Sequence, residues 1–291
     1  MAGCVGFSTP VAIGSAVNRF RRMLVGRGGS RVVRAIIQAY GMSSDGPTYS
    51  AALPRLATGK KMEFSMLLYL LMMAPAILFV LFAQFRVKST FNKYAEVLTN
   101  RGLTGAQVAN EILRSNNIYD VQVERVPGQL SDHYDPRGKV LRLSDSVYGS
   151  TSVAAIGVAA HEVGHAIQHA RGYAPLKARS ALVPVASFGS NFGPWMLIAG
   201  VMLQFTGLAW AGVLLFGAGT LFALVTLPVE FNASSRAMAQ LSNLGIYDRT
   251  EYDQGRKVLN AAALTYVAGF AAAFLQLIYY VMLLTGMRRE E

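Results

Sequence analysis

Three long stretches of the chain contain no charged residue. The first is residues 64–85, FSMLLYLLMMAPAILFVLFAQF; the second runs for 50 residues from Ser180 to Val229; the third runs from Val258 to Met287. A helix that crosses a bilayer needs roughly 20 apolar residues in succession. The pattern therefore predicts one span, then two, then one, over about 64–85, 182–204, 208–229 and 262–285. The middle pair divides near Gln204 to Gly207 (QFTG), where polar and helix-weakening residues cluster. Core helices of a soluble protein rarely stay uncharged over such lengths.

The polar residues between the first and second spans read differently. FNKYAEVLTNRG continues as a helix out of the membrane and ends near Gly102. Thr104, with Gln107 three residues later, carries the capping-box signature of a helix through about Arg114. DVQVERV alternates Val121 and Val123 with polar residues and predicts a short strand. A hairpin follows, with strands near 129–133 and 139–143 and a turn at Asp135-Pro136-Arg137-Gly138. Ala, Val and Ile dominate the next stretch, which holds no proline and predicts a helix from about Thr151 to Ala170. The expected fold is a mainly α membrane protein, with about four transmembrane helices carrying a small α+β unit.

Composition agrees. Hydrophobic residues make up 53% of the chain and charged ones only 15%, against about 25% charged in soluble domains. Cys4 is alone, which excludes an intrachain disulfide. The net charge of +11 is concentrated at the start: residues 1–62 hold nine Lys/Arg against Asp45 alone, a net +8. This leader reads as a transit segment, as a tail drawn to anionic headgroups, or as residues preceding a natural start at Met62. The domain division is thus a basic leader over 1–62 and a membrane-embedded domain over 63–287. A nucleic-acid partner is not expected, because no folded basic face with aromatics or known module is visible.

The helix over 151–170 holds the candidate chemistry, VAAHEVGHAIQHA. His161 and His165 stand one turn apart on one face, where two imidazoles reach one ion at Zn–N distances of about 2.0–2.1 Å. Glu162 points off that axis, close enough to hold a water; this is the H-E-x-x-H arrangement. The competing reading is the polar seam of a buried helix, which is costly without a partner. His169 lies eight residues after His161, about 12 Å along the axis, too far to share the ion. Gln168 and Arg171 occupy the positions where the HExxHxxGxxH pattern requires Gly and His.

A third ligand is sought where the chain returns from the membrane. Glu230 in LPVEFNASSRA is the first charge after the 50-residue block, with Pro228 suited to a break before a new helix. A carboxylate there completes a His₂Glu site with an open fourth position; alternatively it is a headgroup-level or helix N-terminal charge. His133 with Asp132 and Asp135 offers a second ion site, although an Asp-Pro turn explains those residues as well.

VAAHEVGHAIQH, DHYDP, LPVEFNASSRA and AAALTYVA, in this order and spacing, resemble the neutral zinc metallopeptidases of bacterial membranes, the YugP-type family. The resemblance covers roughly residues 64–287. It implies a zincin-like catalytic unit holding one zinc per chain, with His161, His165 and Glu230 as ligands and Glu162 as catalytic residue. Related membrane gluzincins carry an Asp at the position of Ser234, so the group that orients His161 is left unnamed.

The expected reaction is hydrolysis of peptide bonds in membrane proteins or peptides by a zinc-activated water, with Glu162 moving the proton. Candidate oxyanion donors are Tyr266, ranked first as a catalytic residue, then Arg236 and His133; Tyr266 also reads as an interfacial aromatic anchor. The strand 139–143 is expected to offer an edge to an extended substrate. The other function classes are a zinc-binding scaffold or chaperone without turnover, and a metal or proton transporter. Expected partners are the lipid bilayer and a protein or peptide substrate. The expected location is the bacterial plasma membrane, or an organellar membrane if the leader is a transit segment.

Overall fold

The computed structural model describes residues 59–128 and 131–288, of which Leu68 onward belongs to one compact unit. The leader lies outside the described residues except for its last four, which begin α1 (Gly59–Ala95). The other long helices are α5 (Ala174–Met202), α6 (Thr206–Asn243) and α7 (Arg249–Arg288). All four are long and apolar enough to cross a bilayer, and the protein is a mainly α membrane protein.

Each span runs further than its uncharged block. α5 and α6 form a hairpin closed at residues 203–205, where Gln204 takes a positive φ of 54°. The two helices approach closely because small residues meet: a Cβ on Gly212 would lie 2.6 Å from Gly193 O. Close backbone approach through small residues is how helices associate where lipid removes the hydrophobic driving force. The expected break at Pro228 does not occur; α6 continues through it to Asn243. Proline removes one backbone donor, a loss membrane helices tolerate when neighbours and Ser/Thr side chains serve nearby carbonyls.

The polar unit comprises α2 (Gly105–Ser115), β1 (Gln122–Val126), β2 (His133–Asp135), β3 (Val140–Ser144), α3 (Asp145–Tyr148) and α4 (Val153–Ala170). α2 opens with the expected capping box between Thr104 and Gln107. α1 stops at Ala95, short of the expected Gly102. The reason is a competing partner: Leu98 bridges Ser152, and Val97 O accepts from Val153 N at 2.8 Å. That pairing satisfies a donor at the start of α4 that the helix cannot satisfy itself.

The sheet order is β1-β3-β2, with β3 parallel to β1 and antiparallel to β2. The hairpin exists, with β2 over His133–Asp135; residues 129–130 of the expected first strand lie outside the described residues. Asp132 instead meets β3 through its carboxylate, which accepts from Ser144 N at 2.7 Å and Ser144 Oγ at 3.0 Å. One core joins these parts: Ile112 and Leu113 of α2, Leu141 and Leu143 of β3, Ile156, Val163 and Ile167 of α4, and Leu241 of α6. α4 is therefore buried against both the sheet and the projecting end of α6, which explains its run of alanines.

Candidate metal centre

α4 and α6 cross at Gly164. A Cβ built there would stand 2.5 Å from Ala233 O and 3.1 Å from Ala233 Cα. Those are backbone atoms, so the helices have to part to admit a methyl group. Gly164→Ala is therefore expected to cost about 1–3 kcal/mol, read as a lower thermal midpoint in detergent, together with weaker zinc binding. An unchanged midpoint and zinc affinity would contradict this account of the crossing.

The crossing sets two histidines of α4 against one carboxylate of α6. His161 Nε2 lies 3.2 Å from Glu230 Oε2, and His165 Nε2 lies 3.5 Å from the same oxygen. The imidazole planes stand at 88°, with centroids 4.8 Å apart. The three donor atoms all lie within 4.8 Å of one another. Donors about 2.0–2.1 Å from a tetrahedral ion stand about 3.3–3.4 Å apart, so both His–Glu separations fit zinc closely. The donor set of two imidazoles and a carboxylate is also one that zinc takes with a fourth position open.

The remaining polar atoms are served. His161 Nδ1 is 3.0 Å from Ser234 Oγ. His165 Nδ1 is 3.0 Å from Gln168 Oε1. Glu230 is buried, and its Oε1 faces the Arg179 guanidinium at 3.5 Å. Glu230 lies 24 residues beyond Thr206. At 1.5 Å per residue that is about 36 Å, just past a hydrocarbon core of roughly 30 Å. The cluster therefore sits at the end of a span.

Glu162 stands beside the cluster without joining it. Its Oε2 accepts from the Tyr134 backbone N at 3.0 Å. Burial pushes its carboxyl up to about 7, with repulsion from Glu230 and Asp132 adding to the rise and attraction to His161 opposing it. A carboxyl so poised exchanges a proton readily near neutral pH.

The other candidates find different places. His169 is exposed, and its Nδ1 is 2.8 Å from Tyr134 Oη, so it pins β2 to α4. His133 Nδ1 lies 2.8 Å from Ser131 O. Asp132 is bound to Ser144 as above, and Asp135 accepts from Arg137 N at 3.0 Å; these acids serve the turn rather than a second ion. Arg236 turns its Nε to Asn232 Oδ1 at 2.7 Å and lies over the Tyr173 ring. Tyr266 lies on α7 and is 39% exposed. Among the described residues, His161, His165 and Glu230 are the group of three or more His, Cys, Asp and Glu side chains arranged to hold a metal.

Residues 69–285 match the family described as "Putative neutral zinc metallopeptidase". The chain belongs to this family. It is also 44% identical over 225 residues to a Bacillus subtilis (strain 168) protein described as "Putative membrane protease YugP". That alignment covers 77% of this chain and 100% of the relative. No solved structure matches the chain. The family's metal is zinc, which agrees with the donor set described above.

Several residues around the family's metal position carried no role in the sequence reading. Ser234 lies four residues after Glu230, on the same face of α6, and supplies the partner of His161 that sequence reasoning left unnamed. Gln168, three residues after His165 in a helix otherwise apolar around it, is a polar residue whose burial is a signal in itself. Arg179 and Tyr134 had no such signal, since they reach the site from α5 and β2 only through the tertiary fold.

Proposed function

We propose that the protein is a membrane-embedded zinc endopeptidase acting on membrane proteins or membrane-associated peptides. One observation carries the reading: two Nε2 atoms and one carboxylate oxygen meet at zinc spacing beside a carboxyl that stands outside the donor set. His161, His165 and Glu230 would hold the zinc, which would supply Lewis acidity to a water and to the scissile carbonyl. Glu162 takes the water's proton and returns it to the leaving amine. Its hydrogen bond from Tyr134 N holds one carboxylate oxygen in place.

Tyr266 is retained as a donor to the developing oxyanion, and Arg179 beside Glu230 is a second donor for the same charge. An extended substrate would not add to β3, the expected strand, because both of its edges are paired within the sheet. β1 and β2 are the edge strands; β2 is the one that reaches the site, its Tyr134 N–H donating to Glu162, so β2 is the strand proposed for substrate addition. The place of the cluster at the end of the apolar span of α6, rather than within it, suits a substrate approaching at the membrane surface. It does not suit a transport site at midplane. The family and its Bacillus relative favour the bacterial plasma membrane as the location.

The test is hydrolysis of a quenched-fluorescence peptide library and of an unfolded membrane protein by the full chain in detergent. Cleavage is expected, abolished by a zinc chelator and restored by zinc but not by magnesium. Zinc-loaded, well-folded protein that cleaves none of these substrates would overturn the reading and favour a scaffold.

A further inference from the structure

Gln168 is fully buried on α4. Its Nε2 donates to Val229 O at 2.8 Å and to Asn232 Oδ1 at 3.0 Å, and its Oε1 lies 3.0 Å from His165 Nδ1. The two ends of a side-chain amide have the same shape, so its partners decide which end is oxygen. One partner, and one group bound to another partner, leave no choice. Val229 O is a peptide carbonyl and only accepts. The Arg236 guanidinium only donates, and it holds Asn232 Oδ1 at 2.7 Å.

The chain of consequences is short. Asn232 presents its oxygen. Gln168 therefore turns its NH₂ group to both Asn232 Oδ1 and Val229 O. Its oxygen is left facing His165, and an amide oxygen cannot donate. His165 Nδ1 must carry the proton, which leaves a lone pair on the Nε2 that faces Glu230. His161 is held differently. Its Nδ1 faces the Ser234 hydroxyl, which accepts or donates equally well, while its Nε2 lies 3.2 Å from Glu230 Oε2, a carboxylate oxygen that only accepts, so without metal the proton sits on Nε2.

We propose that Gln168 is a positioning residue: it sets the tautomer of His165 and so commits Nε2 as a metal donor before any metal arrives. His161, by contrast, has to give up its Nε2 proton before that atom can hold the metal. The role of the tautomer in metal binding rests on the zinc reading above; the tautomer itself does not. Gln168 also ties α4 to the carbonyl of Val229, the residue before Glu230. One side chain thus aligns a histidine of one helix with the carboxylate of the other. Outer partners of this kind typically change metal affinity by about 10–100-fold.

The experiment is nitrogen-15 NMR of the four histidine rings in the metal-free full chain in detergent micelles, assigned by single His→Gln variants. Zinc affinity is measured beside it by chelator competition. Wild type is expected to show His165 as the Nδ1–H form and His161 as the Nε2–H form. Gln168→Met is expected to turn His165 into a mixture and weaken zinc by about 10–100-fold. Gln168→Glu is expected to keep the Nδ1–H form, because a protonated carboxyl can still donate to Val229 O while accepting from His165. A merely structural role for Gln168 would not predict that rescue.

An Nε2–H His165 in wild type would overturn the proposal without any variant having to fold. So would a Gln168→Met protein with unchanged tautomer and zinc affinity. An Nδ1–H His165 in protein that binds no zinc would overturn the zinc reading and leave the tautomer assignment standing.

Discussion

Glu162→Gln is expected to lower the rate of peptide hydrolysis by about 10²–10⁴-fold, the usual contribution of a positioned acid–base group, while one zinc per chain stays bound. Glu162 is not one of the three converging donors, so its loss leaves His161, His165 and Glu230 in place. The amide of Gln keeps the size of the side chain and an oxygen to accept the Tyr134 N–H. It cannot take a proton. In the native protein burial holds this carboxyl near neutrality, where it can both remove a proton from water and give one to an amine. The split between retained metal and lost turnover is the informative result, read as kcat beside zinc per chain by mass spectrometry. Full activity in Glu162→Gln would mean that another group carries the proton.

Glu230→Ala should fail in the opposite way, at the level of the metal. The variant keeps both histidines but removes the oxygen on which both Nε2 atoms converge. Two imidazoles remain where zinc prefers three protein ligands. The loss in affinity should therefore exceed the roughly 10–100-fold typical of an outer partner, and zinc per chain should fall from one to near zero after dialysis. Folding should largely survive. Arg179, which loses its counter-charge, is partly exposed and can return to water. Circular dichroism and the elution volume in detergent check that point. A folded Glu230→Ala protein that holds zinc as tightly as wild type would place the third donor elsewhere, with His133 next to test.

Features set by nearest neighbours along the chain were legible in the sequence. The uncharged blocks announced four spans because a hydrocarbon core rejects charge over a fixed thickness. Thr104 with Gln107, and the turn at Gln204, act within a few residues, so their meaning does not depend on the rest of the fold. The same holds for His161 and His165, because helix geometry alone sets them on one face. Glu230 was reachable by topology, since a returning span brings its end back to the side it left.

Contacts between distant segments were decided by the tertiary structure. The central place of β3 depends on its parallel partner β1, a pairing no turn specifies. The early end of α1 depends on Ser152 and Val153, more than fifty residues away, competing for its backbone. Pro228 reads locally as a break, yet α6 runs through it, because neighbours in a packed membrane bundle can offset one missing donor. The orientation of both candidate ligand histidines likewise comes from across a helix crossing, through Ser234 directly and through Gln168 anchored to Val229 and Asn232. Local periodicity places donors on a face. Only packing determines which buried partner each donor meets, because an unpaired polar atom is costly and the available partner is fixed by the fold.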